Sequence, residues 1–312
     1  ETWGHSLSIN ALGLRGDEVP PSKPPGVRRI LLLGDSFFWG FGVANDTVIS
    51  ASLERLLNKL GRPHQVLNAA VSGWSTDQQY LYFKQHGAAL QPDLVVVGFF
   101  QLNDTVELLA PRMYGLAKPL LGGPDLQATN LPLPLLAGGA GHRPLSFTVG
   151  GACGVSALCR LLAWSSLYRP ALSRILASLG LVRLAPYKDE QLQRDAVDLA
   201  LDIFAALNRR CRDAGATLVV MKFGAFLHAF GQDKLRDFVL RDQAARLQRG
   251  LAVTAPGAHY LDLDADFGAR GLGLKELTLP EDGYHWNPRG HTEAARRLSA
   301  YLLSQGLLGA RP

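Results

Sequence analysis

Cysteine is scarce in this chain of 312 residues: there are three, and none has the spacing of a zinc site. Thiol and metal chemistry are therefore not where function is expected. Cys153 and Cys159 would lie roughly 9 Å apart on different faces of a shared helix, too far for a bridge, whereas in a loop a small disulfide is open to them. Cys211 falls on the apolar side of an expected helix and reads as a buried thiol. Long apolar runs are lacking too. The longest, such as Leu94 to Phe100, have the length of a strand and fall far short of a bilayer span. Charge of one sign is not concentrated either: 32 basic and 27 acidic residues leave a formal charge of +5, and no basic run carries interleaved aromatics. The footprint of a nucleic-acid binder is missing. No phosphate-cradling glycine-rich loop is present, so no cofactor is expected.

What is present is an alternation of strands and helices. With 47% apolar and 19% charged residues, the chain has the balance of a folded globular protein. The first stretch, 1–26, is rich in Gly, Pro and polar residues and reads as an extended arm. Arg29 to Gly34 is a continuous apolar run, the pattern of a strand buried on both faces. Asp46-Thr47 is placed to cap a helix striped by Ile49, Leu53, Leu56, Leu57 and Leu60 and closed by Gly61. Gln65 to Asn68 is a short second strand, Thr76 with Gln79 fits a capping box, and Asp93 to Phe100 is a third strand. From about 111 to 186 the rhythm breaks into a Leu-, Gly- and Pro-rich insertion with an apolar, helix-like back half. It then resumes: a helix over Leu192–Cys211, a strand at 216–223, a helix at 235–248, a strand at 259–263 and a last helix at 292–303. Such alternation implies right-handed crossovers and a mostly parallel sheet covered on both faces. The expected organisation is one α/β domain over 27–308, interrupted at about 111–186.

In open α/β sheets ligands sit beyond the carboxyl ends of the strands. The residues just after the expected strands are Gly34-Asp35-Ser36, then Asn68 to Gly73, then Gln101 to Asp104; Asp282 to Pro288 precede the last helix. Together they hold the parts of an ester hydrolase. A serine hydroxyl needs a base to take its proton, and His285 titrates in the right range. Asp282, three residues earlier, is placed to hold the imidazole tautomer. The Ser36 and Gly73 backbone amides and the Asn103 side-chain amide are candidate oxyanion donors.

These four pieces, in this order, resemble the SGNH (GDSL-type) hydrolase family. The resemblance spans about 28–303 apart from the insertion. It implies a three-layer α/β/α sandwich of flavodoxin-like architecture, catalysis by Ser36, Asp282 and His285, and an oxyanion hole of Ser36, Gly73 and Asn103. Two positions depart from the family pattern: Phe37 replaces the usual leucine, and Gln101 stands where the third block usually has glycine. The alternative signature Gly-x-Ser-x-Gly is absent from the chain.

Other residues keep two readings. Asp35 either tunes the site or hydrogen-bonds the turn that holds the serine. Asp104 reads as structural, His291 as structural rather than a metal ligand, and Arg289 as either an exposed arginine or a guide for an anionic substrate. Phe37, Trp39, Trp74 and Trp286 are candidate substrate contacts, against the commoner role of core packing. The expected partner is an ester, an acylated carbohydrate or a lipid-like ester; acyl transfer to a polysaccharide with the same residues is an alternative, and a non-catalytic carbohydrate-binding module a second. The start at Glu1 rather than Met, the mild basic charge and the habit of the family set the expectation of a secreted or periplasmic protein, with a membrane anchor outside these residues as a further option.

Overall fold

The computed structural model describes residues 4–113, 116–123, 125–131, 133, 190–224 and 234–309. Most of the expected insertion, with Cys153 and Cys159, lies outside the described residues.

Five strands form the central sheet: β1 (Arg28–Leu33), β2 (His64–Asn68), β3 (Leu94–Phe100), β4 (Thr217–Phe223) and β5 (His259–Asp262). Their order is β2-β1-β3-β4-β5 and every neighbouring pair is parallel. The helices are α1 (Ser36–Trp39), α2 (Ile49–Asn58), α3 (Thr76–Gln85), α4 (Asp104–Glu107), α5 (Glu190–Asp213), α6 (Lys234–Thr254), α7 (Leu263–Ala269), α8 (Leu274–Leu277) and α9 (Pro288–Ser304). Two short antiparallel ribbons, Arg112–Met113 with Leu116–Ala117 and Leu121–Gly122 with Gln127–Ala128, follow α4. Among the described residues no helix is long and apolar enough to cross a membrane.

The apolar runs are strands because both sheet faces are covered. Successive side chains point to opposite faces, and Ile30 and Leu32 of β1 join one core with α2 and α9, while Leu31 and Leu33 join the other with α3, α5 and α6. Val96 and Val219 follow the first core, Val95, Val97 and Val220 the second. Each such side chain, fully buried, contributes about 1.5–3 kcal/mol, so a single polar substitution in β1 or β3 weakens the core that its side chain faces. The two cores make a three-layer α/β/α sandwich, as expected from the alternation.

Several helix ends differ from the sequence reading. The capping box of α3 is built by Ser75 and Gln78, one residue earlier than Thr76 and Gln79. The N-cap of α2 is Val48, with no side-chain cap bond; Thr47 instead donates its hydroxyl to the Ala44 carbonyl. At α9, Asn287 is the N-cap, accepting from Gly290 N–H, and Pro288 occupies the first turn, where its missing N–H costs nothing. Cys211 is buried in α5, and burial pushes its thiol up to about 12; it is an inert packing residue.

Candidate active site

Ser36 is placed by a strand that ends and a helix that begins within three residues. β1 stops at Leu33, and Asp35 takes an extended conformation and caps α1, its Oδ1 accepting from Phe37 N–H at 3.0 Å. Because Asp35 supplies the cap, the Ser36 hydroxyl is not drawn into that bond, and the Ser36 N–H lies in the first turn of α1, where helix donors have no intrahelical partner.

His285 and Asp282 come from the loop between α8 and α9. Asp282 Oδ1 accepts from the backbone N–H of Tyr284 at 2.8 Å and of His285 at 3.0 Å. Its Oδ2 lies 2.6 Å from His285 Nδ1, and His285 Nε2 lies 2.8 Å from Ser36 Oγ. A carboxylate oxygen only accepts, so the ring hydrogen belongs on Nδ1 and the Nε2 lone pair faces the serine hydroxyl. The loop is pinned at both ends. Leu279 N–H donates to the His285 carbonyl at 2.8 Å, Asn287 N–H to the Leu277 carbonyl at 2.9 Å, and the Asn287 side chain to the carbonyls of Glu276 and Thr278. Rings of Phe37, Phe41 and Tyr284 stand within 4.8–5.0 Å of the imidazole. This burial holds the His285 pKa below its ordinary value, against the pull of the Asp282 hydrogen bond and charge.

Gly73 and Asn103 sit beyond the ends of β2 and β3. Gly73 lies in a turn closed by Trp74 N–H to the Val71 carbonyl, with φ of +82°, a conformation that glycine adopts without steric cost. Val71 N–H donates to the Gly34 carbonyl at 3.1 Å, which ties this turn to the one carrying Ser36. Asn103 begins α4, its N–H bonded to the Phe100 carbonyl. The glycine expected before it is not needed, since Gln101 is not among the residues of positive φ. Gln101 is buried instead, its side-chain amide donating to Gln243 at 3.2 Å and its N–H to the Phe223 carbonyl at 2.9 Å.

Behind the serine lies a buried set of charges, of which the sequence pointed to Asp35 and Asp104 but not to Asp77, Glu107 or Lys118. Asp35, Asp77, Asp104, Glu107 and Lys118 are all buried. Lys118 pairs with Asp77, which also accepts from the Ser75 hydroxyl at 2.7 Å. Asp104 Oδ2 accepts from Phe100 N–H at 2.8 Å. Burial pushes Asp35 up to about 7, against the Phe37 N–H bond. Burial, then the charge of Asp35, lifts Glu107 to about 8 against Lys118. Asp104 is raised well above its ordinary value by burial and by repulsion from Asp35 and Glu107. Asp35 thus both caps the turn and titrates unusually, while the cap of Asp104 on β3 fits a structural role.

The aromatic expectations divide. Phe37 and Trp286 are buried, at 1% and 2% exposure, and pack on each other at 5.2 Å and on Phe223. Trp39 is half-buried under the Arg15 guanidinium, 5.0 Å from its ring. Trp74 is half-buried beside Tyr82. His291 is buried within α9, edge-on to Trp286, and burial pushes it down to about 3; a permanently neutral packing histidine fits its structural reading. Arg289 forms an exposed ion pair with Glu276 at 2.9 Å. No group of three or more metal-ligating side chains occurs among the described residues.

No family model matches the chain, and no curated protein does. Solved structures do. The structure titled TesA covers 88% of this chain and 98% of its own at a TM-score of 0.50 and 12% identity. Axe2, an acetylxylan esterase from Geobacillus stearothermophilus, covers 91% and 94% at 0.48 and 14% identity. A lipase/acylhydrolase from Enterococcus faecalis covers 89% and 96% at 0.46 and 12% identity. At such identities the likeness is one of fold, and the chain shares the three-layer α/β/α fold of the TesA structure.

Proposed function

We propose, from its α/β/α fold and from the sequence blocks that resemble the SGNH hydrolase family, that this chain is a serine hydrolase of carboxylic esters, with Ser36 as nucleophile, His285 as general base and acid, and Asp282 as the group that orients the base. The observation that carries this reading is the unbroken chain of contacts from Asp282 Oδ2 to His285 Nδ1 at 2.6 Å and from His285 Nε2 to Ser36 Oγ at 2.8 Å. Both distances lie within the range of a working nucleophile, base and orienting acid.

In the first half-reaction Ser36 Oγ attacks the ester carbonyl carbon while its proton passes to His285 Nε2. The carbonyl π pair moves onto oxygen, and the resulting oxyanion is held by the amides of Ser36 and Gly73 and the Asn103 side chain. Each such donor is worth about 3–4 kcal/mol of barrier. The tetrahedral adduct collapses, the bond to the alcohol oxygen breaks, and the alcohol leaves with the proton from His285. Water then attacks the acyl-serine, giving its proton to the same nitrogen, and the acid departs as Ser36 recovers its hydrogen. Asp282 stays ionised and stabilises the imidazolium in both halves. The low pKa of His285 keeps the free base available at neutral pH.

The test is hydrolysis of p-nitrophenyl esters from acetate to long acyl chains by the wild-type chain and by Ser36→Ala. Turnover of at least one ester, lost in the variant, is expected, and the chain-length profile then defines the acyl group. Equal activity of the two proteins would remove Ser36 from the mechanism, and no activity on any chain length would count against hydrolysis.

A further inference from the structure

The helix that carries the nucleophile cannot hold itself. α1 is a single turn of four residues, and one turn fixes several dihedrals for little hydrogen bonding. Its terminal carbonyls need partners from elsewhere. Asn68 gives one, donating its side-chain amide to the Phe38 carbonyl at 2.8 Å. Another partner, for the end of α1 and the turn after it, comes from the segment before β1. Arg15, 4% exposed, donates from Nη1 to the carbonyls of Trp39 and Gly40 at 2.6 Å each, from Nη2 to the Val43 carbonyl at 2.6 Å, and from Nε to the Asn45 side chain at 3.0 Å.

Arg15 is itself held in place. Asn10 folds the preceding residues into a tight loop, its side-chain oxygen accepting from the N–H groups of Leu12 and Leu14 at 3.0 Å and its own N–H donating to the Leu14 carbonyl at 2.8 Å. Leu14 is buried in the core beneath α3 and α5, while Arg15 N–H bonds the Asn68 carbonyl at 3.0 Å. The loop is therefore nailed to the end of β2, and the guanidinium reaches across to α1. There Gly40 adopts φ of +89°, and a Cβ on it would stand 2.9 Å from Arg15 Nη1. The N–H groups of Gly40 and Phe41 both return to the Ser36 carbonyl at 3.0 Å, and the Phe41 ring lies 4.8 Å from His285.

We propose that Arg15 is a positioning residue for the nucleophile: its guanidinium fork clamps the end of α1 and the following turn, and through them sets Ser36 Oγ and the Phe41 face of the imidazole. The inference rests on the reading of Ser36 as nucleophile. A planar fork satisfies diverging carbonyls that an ammonium, as a point charge, does not. Displacements of about 1 Å at a reacting atom cost on the order of 10²-fold in rate, so a shift of α1 is felt in chemistry.

The experiment measures the rate at which a fluorophosphonate labels Ser36, read by peptide mass spectrometry, alongside a thermal melt. The proteins are the full chain as wild type, Arg15→Ala, Arg15→Lys and Leu207→Ala; Leu207 is buried in α5, so its truncation destabilises without touching α1. Labelling of Arg15→Ala is expected to slow by about tenfold or more and to recover in part with added methylguanidinium. Arg15→Lys is expected to fall between, and Leu207→Ala to label at nearly the wild-type rate without response to methylguanidinium. A folded Arg15→Ala that labels like wild type would overturn the clamp and leave the serine reading standing; should that variant not fold, an Arg15→Lys protein labelling at the full rate would do the same. A wild-type chain that never labels at Ser36 would overturn the serine reading and the clamp with it.

Discussion

His285 Nε2 and Ser36 Oγ stand 2.8 Å apart across 249 positions of the chain. The serine rides on the turn after β1, the histidine on the loop before α9, and the two meet because α2 and α9 pack side by side over the same face of the sheet. Their contact is therefore a property of the whole sandwich. Changes that loosen this face are expected to slow chemistry as well as lower stability.

Asp282→Asn keeps an oxygen for the two backbone N–H groups it caps but presents an amide to His285, which favours the wrong tautomer. We expect kcat for p-nitrophenyl ester hydrolysis to fall by roughly 10⁴-fold with little change in melting temperature. A loss of only a few fold would mean that the carboxylate is not the orienting group.

Asn103→Ala is expected to lower kcat by about 10²–10³-fold with KM nearly unchanged, because the donor acts on the oxyanion rather than on the bound ester. A change confined to KM would place Asn103 in substrate binding instead.

The acid limb of the pH–rate profile is expected below the ordinary histidine value of about 6.5. Burial depresses the His285 pKa, the base must be neutral to act, and activity therefore persists to lower pH and is lost as pH falls through the depressed value. Phe41→Ala opens one wall of the imidazole and is expected to move that limb upward. No movement would mean that Phe41 does not contribute to the drying of the site.

Glu107 titrates near 8 in the folded chain, chiefly through burial, against about 4.3 when unfolded. The raised value means that the native state holds this proton more tightly, so its contribution is present below about pH 4.3 and is lost as pH rises through about 8. Glu107→Gln has no such proton to lose. Its melting temperature is expected to fall less than that of wild type between pH 5 and pH 9, by roughly 2–4 °C for each kcal/mol retained. Parallel curves would contradict this.

The strands were legible because continuous apolar runs such as Leu31 to Leu33 suit a sheet buried on both faces, and Ser36, Asp282 and His285 because their order along the chain is distinctive. The cap of α3 shifted by one residue because Ser75-x-x-Gln78 and Thr76-x-x-Gln79 carry the same pattern, and only the backbone selects between them. The burial of Phe37 and Trp286 was not legible, because an aromatic beside a nucleophile reads alike whether it faces solvent or sheet. Arg15 and the buried Asp77, Glu107 and Lys118 left no signal at all. Charged residues are usually on the surface, and what buries these is contact with segments distant in sequence, Trp39 to Asn45 for Arg15 and Asp77 for Lys118.

The most direct test of the central claim is to trap the acyl-enzyme: mix the chain with p-nitrophenyl acetate, quench in acid within the first turnovers, and analyse the peptides by mass spectrometry. The account predicts one acetyl group on the peptide containing Ser36, absent in Ser36→Ala and accumulating more slowly in His285→Ala. Acetate released with no adduct on Ser36, or an adduct on another residue that persists in Ser36→Ala, would contradict it.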